Sequence, residues 1–460
     1  MFFIGCLVLG SLVSVAQDKD SLNFVSSRKM SPEDLEKKKE GTFFTGLPEV
    51  SSDPVTGFGF GLRTNIYWNG NSDHPLFPYT PYLVKLKANA VYYTSNASEF
   101  ILSLDVPYYK GSRWRFKIDF KIQQNPANLY FGLTDKTLGA LSLPSEPNTE
   151  FNTFEEYDVK RKTLRNGEPG EAASLVTDAL SNKFRESEFM LNLKVDYAIG
   201  SGRWRIMSGY EIQHLSYKTF EGLSATAIDP VSGEETSAPN GFSLLRRDFE
   251  RNEISGLDGG WVSILQNALI YDTRDFEPDP TNGLYFEIAN EYSSSAIGSE
   301  FDFDKLFVQA RIYQRLPLGS RTVLTSRLGA GHIFGKNAPF FEFQDQWSPD
   351  GSVNALGGKH SLRGYRANRF LARSLWFLNT ELRFRFVEFN LGKQNLGLSL
   401  APFYDIGTVR NHYKELNFKN LKSSFGMGLR AAWNQSTIIF FDYGVSQEDR
   451  LFYFGIGQAF

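Results

Sequence analysis

Residues 187–200 read SEFMLNLKVDYAIG. Phe189, Leu191, Leu193, Val195, Tyr197 and Ile199 fall on one face of an extended chain, and Asn192, Lys194 and Asp196 fall on the other. A period of two marks a strand with one apolar and one polar face. Residues 111–122, GSRWRFKIDFKI, alternate in the same way, setting Trp114, Phe116, Ile118, Phe120 and Ile122 against Arg113, Arg115, Lys117, Asp119 and Lys121. Strands of soluble sheets average about five or six residues. These runs reach ten or more, the length a tilted strand needs to cross a bilayer, and many carry aromatics near their ends.

The same pattern recurs along the whole chain. Sixteen runs are expected as strands, among them 42–50, 57–68, 80–94, 98–108, 203–216, 372–387, 396–408, 421–433, 436–444 and 450–460. Sixteen is even, as a closed antiparallel barrel with both termini on one side requires. The connections divide in the same sense. Long polar segments follow the fifth, seventh and eleventh runs (123–186, 217–260 and 335–371), whereas most even-numbered connections are short, such as Gly200-Ser201-Gly202. Residues 69–79 are longer than an inner turn should be. The expected fold is all-β: a 16-stranded antiparallel transmembrane barrel over residues 41–460, with long connections outside.

Composition agrees. The chain has 460 residues, 15% of them aromatic, with 41 Phe and 21 Tyr, yet a mean hydropathy of only -0.31. Apolar residues are therefore spread singly. Past the first sixteen residues no apolar run is long enough for a membrane helix. Residues 1–16, MFFIGCLVLGSLVSVA, read as a signal peptide cleaved before Gln17. Cys6, the one cysteine, lies within it, so no disulfide is expected; with five histidines and no CxxC, no metal or cofactor site is expected either. A net charge of -3 offers nothing to nucleic acid. Residues 17–40 are read as a solvated periplasmic tether, with a small plug or docking peptide as the alternative, and SPEDLEKKKEG within them as a short helix with Ser31 as N-cap and Pro32 at its first position.

One loop stands out. Its centre reads ALGGKHSLRGYRANRF, residues 355–370, and holds Leu362, Arg363, Gly364 and Tyr365. Alternation places Asp405 on the lumen row of the 396–408 run, and Glu381 on that of 372–387. The last run, LFYFGIGQAF, carries Phe452, Phe454, Ile456 and Phe460 on one face.

These motifs together resemble the BamA/TamA superfamily of outer-membrane assembly and translocation barrels. Ser361-Leu362-Arg363-Gly364-Tyr365 is similar to that family's sixth-loop signature, and Phe403-Tyr404-Asp405-Ile406-Gly407 to its FxDxG strand. Tyr271-Asp272-Thr273-Arg274-Asp275, with Pro280 and Gly283, resembles its Asp-Arg-rich turn, and Asp442-Tyr443-Gly444 also fits. The resemblance implies a loop folded into the lumen, with Arg363 held by Asp405 and by Glu381 as a second acidic partner. It further implies that the terminal aromatic row is read by the outer-membrane insertion machinery, and that the barrel opens sideways between its first and last strands. Gly46 and Pro48 on one side, and Gly455 and Gly457 on the other, make that seam weak. Residues 17–40 are too few for a POTRA module, so a barrel-only member is expected, not an enzyme, with outer-membrane lipid and a periplasmic or outer-membrane protein as partners. The residues leave a second reading open: a passive outer-membrane channel whose Arg113, Arg115, Lys117, Arg203 and Arg205 favour anions.

Overall fold

The computed structural model describes residues 22–25, 29–30, 35–36, 38–275, 277, 279–318, 321–335, 337–391, 394–433, 437–458 and 460. Sixteen antiparallel strands close one barrel. The first eight are β1 (Thr42–Asp53), β2 (Gly57–Trp68), β3 (Val84–Tyr93), β4 (Ser98–Val106), β5 (Trp114–Leu129), β6 (Lys183–Ile199), β7 (Trp204–Lys218) and β8 (Gly260–Asp272). The others are β9 (Gly283–Ser293), β10 (Phe303–Leu316), β11 (Arg321–Phe334), β12 (Ser374–Leu391), β13 (Gln394–Arg410), β14 (Lys422–Trp433), β15 (Thr437–Val445) and β16 (Arg450–Ile456). All sixteen expected runs are strands.

The two faces fall as alternation demands. On β6, Phe189, Leu193 and Ile199 are exposed on the outer wall, while Asn192 and Asp196 are buried in the lumen. Two boundaries moved because polar residues hid them. β5 runs on through Gln123-Gln124-Asn125, where Gln123 donates to Glu186 of β6 at 2.9 Å, and its register shifts between Asn125 and Asn128. Amide-rich residues at a barrel rim satisfy their backbones in the sheet without showing an apolar period.

The connections 130–182 and 219–259 pack over the long-loop end. They carry helices α1 (Phe154–Lys162), closed by a Thr153–Glu156 capping box, and α2 (Leu244–Glu250). Tyr130, Phe184, Tyr217, Leu245, Phe340 and Phe341 join in one buried cluster there. Burying each large apolar side chain contributes about 1.5–3 kcal/mol, so this end is a packed lid and not a set of free loops.

At the opposite end the tether reading is corrected. Leu22, Phe24 and Val25 are buried against Leu76 of the β2–β3 connection, Tyr108 of the β4–β5 turn and Ala198 of β6. Phe24 meets Tyr108 at 5.5 Å and lies under the Arg113 guanidinium at 5.1 Å. Lys38 donates to the carbonyls of Phe77 and Thr80 at 2.5 and 2.7 Å. The long 69–83 connection is thus a platform for the N-terminal segment, which explains why it exceeds a turn and why β3 starts at Val84. Of the expected helix at 31–41, residues 35–36 are helical; the signal peptide and most of the rest lie outside the described residues.

The barrel is not equally closed all round. Every neighbouring pair from β1–β2 to β15–β16 has at least seven partnered residues. Among the described residues β1 and β16 share one, Ser52 opposite Phe454. Pro48 has no N–H to offer the ladder. On the other side β16 stops at Ile456, and Gly457, at φ +133°, turns the chain away from β1.

Candidate functional site

The 335–373 connection enters the barrel and runs most of its depth. It descends along β10: Glu342 takes a bond from Lys305 at 3.0 Å, Ser348 meets Gln309 at 2.9 Å, and Asp350 meets Arg311 at 2.6 Å. At the bottom Asp350 also takes a bond from Arg274, at 3.1 Å, in the β8–β9 turn of the opposite rim. Asp272 holds that same guanidinium at 3.0 and 3.1 Å. Gly351, at φ +116°, reverses the chain there, and Asp345–Gln346 pairs with Val353–Asn354 as a short ribbon.

The returning limb carries Arg363 to the wall. Its Nε and one terminal nitrogen each donate to Asp405 at 2.8 Å, and its backbone N–H adds a third bond to the same carboxylate at 3.2 Å. The other nitrogen reaches Glu381 at 2.6 Å and Asp442 at 3.4 Å. The guanidinium plane lies 3.5 Å from the centre of the Phe403 ring. A planar fork with five donors fits this arrangement, and an ammonium does not. Arg363 is 1% exposed, and Asp405 and Glu381 are fully buried. Burial alone would lower the Arg363 pKa; the Asp405 and Glu381 carboxylates outweigh it and hold it well above the ordinary value.

Two further arginines join these carboxylates. Arg430 bonds Glu381 at 2.9 Å and also pairs with Asp442, and Arg383 bonds Glu381 at 3.0 Å. Three carboxylates therefore meet three guanidiniums, and Asn379 ties Asp405 to the carbonyl of Ser361. Gly364 is needed for approach: a side chain there would start 2.7 Å from the backbone of Val445 and Ser446. Leu362 is buried, and the Tyr365 ring packs against Phe370 at 5.0 Å. Farther on, Arg366 bonds Asp449 at 2.9 Å and Arg369 bonds Glu448 at 2.6 Å, fastening the limb to the β15–β16 connection.

Asp405 and Glu381 are thus both brought to Arg363. Asp442, Arg430 and Arg383 were missed as members of the cluster; all three are buried on the lumen side of their strands. The Asp350–Arg274 contact had no signal in the sequence, since it joins a loop to a turn at the far end of the barrel. Phe452, Phe454 and Ile456 keep to the outer face of β16, but Phe460 does not. Past Gly457 the tail enters the lumen, where the Phe460 ring lies 4.8 Å from the Arg327 guanidinium and its main-chain oxygen accepts from Arg383 at 3.1 Å. The lumenal cations expected to favour anions are largely engaged. Arg115 pairs with Asp105, Arg205 with Asp196, and Arg113 donates to the carbonyls of Ala198 and Gly200.

The tip anchor should respond to acid. Burial raises the Asp350 carboxyl, but Arg274 and Arg311 outweigh it and hold its pKa below the ordinary value. A carboxylate depressed in the folded state stabilises above its unfolded pKa, about 3.9, and that contribution is lost as pH falls through the folded value. Hydrogen exchange across 345–354 should therefore accelerate below about pH 3.9. In Asp350→Asn it should be fast at neutral pH already, and unchanged protection in that variant would exclude the anchor.

Residues 82–460 match the Omp85 superfamily domain, and residues 20–83 match a domain of unknown function, DUF5982. The outer membrane protein assembly factor BamA of Nitratidesulfovibrio vulgaris is 29% identical over 174 residues, which cover 35% of this chain and 20% of that protein. The SAM50-like protein CG7639 of Drosophila melanogaster is 26% identical over 219 residues, covering 43% of this chain and 46% of that one. The chain thus spans less than half the length of either relative. BamA from Haemophilus ducreyi lacking POTRA domains 1–3 aligns over 91% of this chain and 70% of its own, with a TM-score of 0.50 and 13% identity. At that identity the likeness concerns the fold.

Proposed function

Because this chain belongs to the Omp85 superfamily, we propose that it inserts, assembles or exports envelope components at the outer membrane of a Gram-negative bacterium. It acts as a barrel that opens at its side, without catalysis. The observation that carries this reading is the contrast between seam and lumen. Among the described residues one partnered pair joins β1 to β16, while a loop fastened from the β15–β16 connection to the β8–β9 turn crosses the barrel. An open edge in a sheet is a template for another strand. A lumen crossed by such a loop offers cargo no straight path.

The name of the curated relative from Nitratidesulfovibrio vulgaris, an outer membrane protein assembly factor, supports the same direction. During biogenesis the row Phe452, Phe454, Ile456 and Phe460 is presented to the insertion machinery, and Phe460 tucks into the lumen only after the barrel closes. Recognition of cargo falls to a periplasmic or outer-membrane protein partner. A passive channel is the weaker reading, because Arg115 and Arg205 of its cationic rows are paired with carboxylates and a loop crosses its bore.

Depletion in the native bacterium tests the proposal, with crosslinking pull-down from the outer membrane. Selective loss of a surface polymer or of a set of outer-membrane proteins, together with capture of an envelope partner, is the expected outcome. An unchanged envelope with altered uptake of small solutes would overturn it in favour of the channel.

A further inference from the structure

The β13–β14 connection, residues 411–421 (NHYKELNFKNL), follows a different course from the loop that fills the lumen. It folds over the outer wall. Trp376, on the lipid-facing row of β12, donates its indole N–H to the carbonyl of Asn417 at 3.3 Å, and its ring meets Phe418 at 5.2 Å. Tyr413 meets His332 at 5.2 Å, and His332 meets Phe334 at 4.3 Å; both partners stand on the lipid-facing row of β11. The base of the loop is fixed. Arg410 donates to the carbonyl of Lys419 at 2.5 Å and to Asn417 at 3.3 Å, and Asn411 donates to Asp135 at 3.1 Å. This is a held conformation, and it leaves Phe418 83% exposed and Tyr413 52% exposed.

The exposed rings continue an interface already present, the lipid-facing rows of β11 and β12. A ring at the rim of a membrane wall belongs to the aromatic belt, where its apolar body meets the tops of acyl chains. Lys414 and Lys419 flank these rings and are exposed, against one acid, Glu415. Lysine stems lie along apolar surface while their ammonium groups reach the headgroups. Anionic headgroups complement that charge.

We propose that residues 411–421 form a binding site for a phosphorylated glycolipid of the outer leaflet. Phe418 and Tyr413 pack on its acyl chains, and Lys414 and Lys419 bind its phosphates. The site rests on the proposed orientation, in which the long-loop end faces outside.

The test is lipid retention by the purified full chain in phosphatidylcholine nanodiscs, with bisphosphorylated lipid A as the probe. Heat-modifiable migration first confirms that each variant is folded. Retention should fall roughly fivefold for each of Lys414→Ser and Lys419→Ser. Phe418→Ser should lower it as well, and dephosphorylated lipid A should wash out. Equal retention by the variants, or equal retention of phosphatidylglycerol, would overturn the site. Orientation is read separately, by labelling Ser232→Cys with an impermeant maleimide on intact cells in a Cys6→Ser background. Labelled Ser232→Cys together with unaltered lipid retention in the Lys414→Ser and Lys419→Ser variants overturns the site alone; unlabelled Ser232→Cys overturns the orientation on which it rests.

Discussion

Arg363→Ala is expected to destabilise the barrel by about 3–5 kcal/mol, the cost of breaking a buried ion pair and leaving its partner charged. The local charges set the direction. Arg363, Arg383 and Arg430 balance Asp405, Glu381 and Asp442. Without Arg363 the cluster keeps three carboxylates and two cations in a site with almost no solvent. Asp405 suffers most, losing two guanidinium donors and keeping Asn379 and the backbone N–H of residue 363. Arg363→Lys should rescue little, because one ammonium cannot bridge Asp405 and Glu381 in their present positions. Asp405→Asn removes the charge that Arg363→Ala strands, so the double variant should be less destabilised than the sum of the two. Urea unfolding of the four proteins in lipid measures that coupling. Additive losses would mean that the two residues act independently.

The barrel was legible in the sequence because lipid on one side and a polar lumen on the other force a period of two that no loop mimics. Even the lumen rows of Asp405 and Glu381 followed from parity alone. Where the parity signal stops, so did the reading. Gln123–Asn128 and Lys183–Glu186 form sheet above the apolar band, where side chains no longer declare a face. Leu22, Phe24 and Val25 are single apolar residues in a polar segment, and only the barrel mouth gives them something to bury against. Phe460 fits the outward row by count, yet one glycine with positive φ sends it inward.

The Arg363 lock was readable for a different reason. The loop and strand motifs resemble those of a known family, and that resemblance implied the pairing of Arg363 with Asp405; parity supplied only the lumen rows of the two carboxylates. The full size of the cluster was not readable. Arg383 and Arg430 look like ordinary lumen residues until the strands are brought round, and Asp350 meets Arg274 only because the loop crosses the barrel. Contacts between distant segments carry no periodic signature.

Lateral opening is the central claim, and the seam offers a direct handle on it. The position of a side-chain carbon on Gly455 lies 4.0 Å from that of Ser51, within the span a disulfide bridges without strain. Ser51→Cys with Gly455→Cys, in a Cys6→Ser background, therefore closes the seam on oxidation and frees it on reduction, while each single variant controls for the substitution. The measurement is the envelope of cells living on the double variant, compared under oxidising and reducing conditions. The expected result is a depletion phenotype while the seam is bonded, reversed when the bond is reduced. A bonded barrel that maintains the envelope as well as the reduced one would show that its side never needs to open.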